Sequence, residues 1–286
     1  MSGAEIVGLG ALAGFTIFLG LPIGRLRHAS GALRATLNAL AIGILVFLLW
    51  DVLTHAVDPI EQALTSAAVD HKGGWGRFAG LCAVFAVGLG IGLISLVYYD
   101  GWMARRRAVA AAPRPGPGAM SVTERPAPGR LDLADPARRL ALLIAVGIGL
   151  HNFSEGLAIG QSAAGGELSL AVLLIIGFGL HNATEGFGIV GPLAGTGQRP
   201  SWRLLAALGL IGGGPTFLGT VVGQSFVNDT VYLGFLALAA GSILYVVLQL
   251  LKVAFRLGHV RSLYWGLLGG LLLGFATDFV VTAAGA

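Results

Sequence analysis

Apolar and polar positions fall along this chain in long blocks. Eight apolar blocks, at about 5–24, 35–56, 78–99, 139–161, 168–190, 202–224, 231–251 and 262–283, are separated by polar connections. Each is long enough for a helix of roughly 20 residues, the length that crosses a hydrocarbon core. The pattern predicts an all-α polytopic membrane protein with eight transmembrane helices. The first block starts close to Met1, but its leading residues hold no Lys or Arg and include Glu5, so it reads as a retained helix and not a signal peptide. One long polar interval, 101–138, is rich in Arg, Pro, Ala and Gly and contains Pro113-Arg-Pro-Gly-Pro-Gly118. It reads as a flexible linker. It divides a single membrane domain into residues 1–100, with helices one to three, and residues 139–286, with helices four to eight.

Composition agrees with this class. Hydrophobic residues make up 55% of the chain and charged residues 11%, as a bilayer-embedded protein requires. The 46 glycines fit helices that approach closely through small side chains. The sole cysteine, Cys82, excludes an internal disulfide framework and a multi-thiolate metal site. The formal charge of +4 resembles a nucleic-acid signal until the charges are placed, and nucleic acid is then no partner. Arg25, Arg27 and Arg34 follow the first block; eight arginines from Arg105 to Arg139 follow the third; Arg199 and Arg203 follow the fifth; Lys252, Arg256 and Arg261 follow the seventh. The opposite side holds Lys72 and Arg77 beside Asp58, Glu61, Asp70, Glu167 and Asp229. The positive-inside rule puts both termini on the non-cytoplasmic side and loop 101–138 in the cytoplasm, with a bacterial plasma (inner) membrane as the expected location.

The chemistry is concentrated in His151-Asn-Phe-Ser-Glu155-Gly156 and its echo His181-Asn-Ala-Thr-Glu185-Gly186. In each, the His and Glu are four apart and stack on one helix face. A neutral imidazole and a carboxylate on one face can both ligate a borderline divalent cation. An ionised Glu near mid-bilayer is costly without a partner, so an intramembrane Glu points to function. The short connection between the fourth and fifth blocks makes their helices an antiparallel hairpin. The motifs then lie at matched depth, related by an approximate two-fold axis in the membrane plane. This predicts a 3+2+3 arrangement with inverted-repeat character and a site at the midplane, a transporter signature. A duplicated six-residue motif at matched depth is hard to assign to packing alone.

Paired His-Asn-x-x-Glu-Gly segments on the fourth and fifth of eight spans, with a long cytoplasmic loop before them, resemble the ZIP (Zrt/Irt-like) family of divalent-metal transporters. The resemblance implies that His151, Glu155, His181 and Glu185 are the primary metal ligands, with Asn152 and Asn182 at an adjacent position. It also implies import toward the cytoplasm by alternating access, and a homodimer. The chain departs from the family pattern twice. Many members have Pro before the motif Glu, where this chain has Ser154 and Thr184, which can bond back to a carbonyl and bend the helix more gently. Many carry Glu-Pro in the sixth span, where this chain reads Gly212-Gly-Gly-Pro215. Gly214 therefore supplies no carboxylate. Two glutamates balance one divalent ion, so one bound metal is expected.

Asp51 and His55, again four apart near the outer end of the second span, and Asp278 near the outer end of the last are candidates for an entry mouth. Asn38, Gln161, Gln224 and Gln249 read as interhelical hydrogen-bond partners. Gly88, Gly90, Gly92, Gly269 and Gly270 read as packing surfaces. No prosthetic group is expected: the bound species is the cargo, Zn2+ first, with Fe2+, Mn2+ or Cd2+ also suited to these ligands. Two rivals are an intramembrane metalloenzyme (a hydrolase) and a metal sensor without flux. The enzyme would need an open coordination position and a spare general base, and no His-Glu-x-x-His motif is present. The expected activity is therefore transport across the lipid bilayer and not catalysis.

Overall fold

Inside a bilayer every backbone N–H and C=O must find a partner within the protein, and apolar spans satisfy this as helices. The computed structural model describes residues 2–25, 30–71, 73–111, 135–164, 168–193, 199–225 and 228–283. Residues 112–134 of the expected linker, with Pro113–Gly118, Arg114, Arg125 and Arg130, lie outside the described residues, as do Arg27, Lys72 and Glu167. The first span combines α1 (Gly3–Phe15), a short α2 (Ile17–Gly20) and a 3-10 turn (Leu21–Arg25). It is followed by α3 (Gly31–Ala68), α4 (Trp75–Ala111), α5 (Pro136–Ala164), α6 (Leu168–Val190), α7 (Trp202–Gly223), α8 (Asp229–Leu257) and α9 (Val260–Ala283). Every expected span is present. Among the described residues seven segments are long and apolar enough to cross a membrane, and α6 adds a further helix of 23 residues. The chain is a polytopic all-α membrane protein.

The helix ends follow local chemistry. Ser2 and Glu5 form a reciprocal capping box, so the acidic residue near the start serves the helix terminus. Ser30, Ser201 and Asn228 accept from the backbone N–H groups of Leu33, Leu204 and Val231. Asp135 accepts from Ala137 N, and Pro136 opens α5, where a missing N–H costs nothing. Gly258, at φ 71°, closes α8 in the left-handed conformation. Two helices overrun the apolar blocks that predicted them. The α3 helix has 38 residues, and its far end is anchored where Ile60 and Ala63 pack with Leu81 and Leu233. The α4 helix runs on to Ala111 and takes residues 101–111 from the expected linker. Hydropathy stops where charge begins, whereas the backbone ladder does not.

The helices form two groups of four. The first span, α5, α6 and α7 pack together; α3, α4, α8 and α9 form the second group; α5 against α8, α3 against α6 and α6 against α9 join them. An inverted repeat organises both groups, exchanging the first span with α7, α3 with α8, α4 with α9 and α5 with α6. Its register can be read from glycine contacts. A methyl at Gly43 would overlap the Leu267 carbonyl and Gly270, while one at Gly241 would overlap the Leu89 carbonyl and Gly92. Likewise Gly20 sits against Ala183 and Gly186, and Gly219 against Phe153 and Gly156. Gly14 and Gly213 meet each other, so the pseudo-two-fold axis passes between them. Of the predicted polar contacts between helices, Asn38 donates to the Leu250 carbonyl (3.2 Å) and Gln224 to the Gly3 carbonyl (3.2 Å).

Gly92→Val should lower stability by about 1–3 kcal/mol, the usual cost of overpacking, because the Leu238 carbonyl occupies the space. Gly90, two residues away, faces nothing within 4 Å, and Gly90→Val should leave stability almost unchanged. Thermal unfolding of the two variants in detergent checks this contrast.

Candidate metal centre

Close helix approach builds the site. The last glycine of each motif has a neighbouring helix in the place of a side chain: Gly156 meets the Thr216 carbonyl on α7, and Gly186 meets the Ile17 carbonyl on α2. That proximity lets both motif asparagines reach across. Asn152 Nδ2 donates to the Gly212 carbonyl (3.0 Å) and to Glu185 Oε2 (3.1 Å). Asn182 Nδ2 donates to the Ala13 carbonyl (3.2 Å), and the Asn182 side chain lies beside Glu155. Gly212 and Ala13 are equivalent positions of the inverted repeat. Asn152 thus ties its motif to a neighbouring helix and to the other motif's glutamate, and Asn182 ties its motif to the first span.

The carbonyls they use lie on locally loosened helices. Pro215 cannot donate to the Ile211 carbonyl, and α5 comes against that carbonyl at Gly149. The equivalent position on the first span is Thr16, where α1 breaks; its Oγ lies 2.6 Å from the carbonyls of both Ala13 and Gly179, which compete for its one proton. Within α5, Ser154 Oγ donates to the His151 carbonyl at 2.6 Å, the back-bond expected where many family members have Pro.

His151 Nε2 lies 3.1 Å from Glu155 Oε1. Both groups are 5% exposed, and Glu185 is fully buried at 0%. The sequence therefore places His151, Asn152, Glu155, Asn182 and Glu185 in one buried cluster; the side chains of His181 and Thr184 are outside those described. Glu155 Oε2, Asn152 Oδ1 and Asn182 Oδ1 are buried and accept no hydrogen bond, and the Thr216 hydroxyl beside them is likewise unbonded. A carboxylate and two amide oxygens are acceptors only, and leaving such groups unsatisfied costs about 1–3 kcal/mol each. One cation in contact with all three would satisfy them; neutral donors would have to bring a proton to each. Among the described residues no three His, Cys, Asp or Glu side chains are gathered as a ready metal group. His151 and Glu155 instead close on one another.

The three mouth candidates behave differently. The Asp51 side chain is 24% exposed and lies within electrostatic reach of His55, His151 and Asp278. His55 is 60% exposed and turns its Nδ1 to the Asp51 carbonyl (2.9 Å) and carboxylate (3.5 Å). Tyr232, which the sequence did not single out, lies within electrostatic reach of both Asp51 and Glu155. A tyrosine at the start of an apolar block carries no motif, so only the packing reveals it. The carbonyls of Ala13 and Gly212 were also missed, although Pro215 signals a disturbed backbone nearby. Gly214 lies on the α7 face shared with Leu210, Phe217, Leu218 and Val221, all exposed, and a side chain there would meet open space. A carboxylate at 214 would start from the outer face of α7, away from Asn152.

A model of the family described as "Zip: ZIP Zinc transporter" matches residues 127–276. The chain belongs to the ZIP zinc transporter family. The matched region takes in α5 to α8 and most of α9, and therefore both motifs. No curated protein matches the chain. Membership of the ZIP family makes metal-cation transport the general activity. The helices that precede the match, α1 to α4, belong to the same inverted repeat as those within it.

Asn152→Ala leaves Glu185 and the Gly212 carbonyl each one donor short and should destabilise the fold by about 2 kcal/mol or more. Asn38→Ala removes one hydrogen bond, to the Leu250 carbonyl, and should cost less. Chemical unfolding in detergent measures both.

Proposed function

We propose that this ZIP chain carries a divalent transition-metal cation, Zn2+ first and Fe2+, Mn2+ or Cd2+ after it, toward the cytoplasm by alternating access. His151, Glu155, His181 and Glu185 are its ligands, and the Asn152 and Asn182 oxygens complete the adjacent coordination. The observation that carries this reading is the set of buried, donor-free oxygens of Glu155, Asn152 and Asn182 beside the His151–Glu155 pair, at the seam of an inverted repeat. Two ionised glutamates balance one divalent ion with both histidines neutral. A second ion would leave excess positive charge where even one charge costs at least a few kcal/mol. One ion therefore binds at a time. Fixed basic connections orient the chain with both termini non-cytoplasmic, and the Asp51, His55 and Asp278 end receives the ion. Asp51 concentrates cations and hands them inward past Tyr232. The inverted repeat supports two openings related by its pseudo-two-fold axis, each exposing the same ligands to one side. We read the chain as a transporter and not an enzyme, because Glu155 and Glu185 are both committed to charge balance and leave no spare general base.

Purified chain in liposomes should take up Zn2+, and calorimetry should give one ion per chain. Glu155→Ala and Glu185→Ala should each reduce flux to near background. Wild-type rates in both correctly inserted variants, or saturable binding with no flux in the parent, would overturn the proposal.

Asp51→Asn should reduce uptake mainly at low ionic strength, because a partly exposed carboxylate acts over a Debye length of roughly 10 Å at 0.1 M salt. Uptake followed from low to high salt reads this directly; identical curves for variant and parent would return Asp51 to a solvated surface role.

A further inference from the structure

The two ends of the bundle are built by one repeat and carry opposite charge. The glycine pairs Gly43 with Gly241 and Gly92 with Gly270 set the register. Followed along the same helices, that register matches Asp51 with Gln249, Thr54 with Lys252, Asp58 with Arg256, Tyr232 with Arg34, and Asp278 with Asp100. Where the acidic end holds acids and neutral polar groups, the basic end holds cations and an amide. The single acid kept at both ends is Asp100, and there it is bound to Arg139 at 3.1 Å.

These residues surround one cavity of about 320 Å3, lined by Arg34, Arg139, Lys252 and Arg256 together with Tyr245 and Gln249. Its size is at the lower end of small-ligand pockets. Charges that serve only to orient a membrane protein need lie only on the correct side of the bilayer. Nothing in that role draws four of them, from three helices distant in sequence, around a single cavity against mutual repulsion. One carboxylate, already paired, does not balance them. A cation leaving a transporter through this end would meet a repulsive field.

We propose that this cavity binds a phosphate-type anion, either the headgroup of an acidic phospholipid or free inorganic phosphate, and that the bound anion speeds cation exit at this end. Arg34, Lys252 and Arg256 would hold the phosphate oxygens by charge-assisted hydrogen bonds. The same anion competes with Asp100 for the Arg139 guanidinium and so exposes a carboxylate to the departing ion. Basic pockets between helices at a membrane face suit such headgroups. The binding half of the proposal stands by itself; the effect on exit rests on the transport reading.

The test uses the full chain in detergent and in vesicles. Inorganic phosphate, against chloride at equal ionic strength, is titrated while thermal unfolding is followed. Retention of phosphatidylglycerol against phosphatidylcholine is followed in parallel by native mass spectrometry. Stabilisation by phosphate supports a free-anion site, and selective retention of phosphatidylglycerol supports a lipid site. Arg34→Gln/Lys252→Gln/Arg256→Gln should weaken the effective anion by roughly tenfold or more. Lys252→Gln and Arg256→Gln singly, both at exposed side chains, should each weaken it less. Failure of both anions to bind, or equal binding in all variants, would overturn the site. Zn2+ flux in vesicles should rise with the effective anion in the parent and not in the triple variant. Flux that is present but indifferent to the anion would overturn the effect on exit. Anion binding without any flux would instead refute the transport reading and leave the site standing.

Discussion

Two carboxylates buried where the bilayer supplies no water are the constraint on which this structure depends. Glu155 and Glu185 stand at 5% and 0% exposure, and their cost is contained by what the repeat brings to them. Asn152 donates to Glu185 across the seam, Asn182 lies beside Glu155, and His151 faces Glu155 at 3.1 Å. None of these contacts is local to one helix except the last. They require α5 and α6 to lie against α7 and the first span at backbone distance, and this is why Gly156 and Gly186 close the motifs. The glycine completes each motif as a spacing device; the histidine and glutamate supply its chemistry.

The same approach explains why the partner helices are weakened where they are. A regular helix spends its carbonyls internally and offers little to a neighbour. Pro215 on α7 and the break at Thr16 on the first span disturb that ladder at equivalent positions of the repeat. The asparagines bond the Gly212 and Ala13 carbonyls beside these two disturbances. Proline and threonine achieve the loosening by different means, one by lacking a donor and the other by competing for the acceptor. The repeat therefore survives in geometry where it has diverged in residue type.

That divergence decides what could be read in the sequence. The spans were legible because hydropathy reports the bilayer directly, and α6 falls at 168–190 as expected. Their true ends were not: α3 and α4 continue beyond the apolar blocks, because helix propagation depends on backbone hydrogen bonds and side contacts such as Ile60 with Leu81. The motif cluster was legible because His, Asn and Glu in an apolar run have few uses. Tyr232 and the two accepting carbonyls were not, since a single tyrosine or a backbone group leaves no spacing to recognise. The inverted repeat was visible in the sequence only at the duplicated motif. Its extension to the outer helices rests on matched glycine contacts between elements far apart in the chain.

Symmetry of backbone with asymmetry of charge gives the two ends of this fold unlike fields for a cation. A repeat that matched in charge as well as in shape would attract ions equally from both sides. Here Asp51 and Asp58 have Gln249 and Arg256 as their counterparts, so one end is acidic and the other basic while the buried polar cluster lies between them. Fixed charges cannot set the direction of net flux, which the gradients determine, but they can set the rates of arrival and departure at each mouth. The proposed alternating access asks the backbone for two openings related by the pseudo-two-fold axis. The side chains at their rims make those openings unequal, and that inequality lies in the residues that break the repeat.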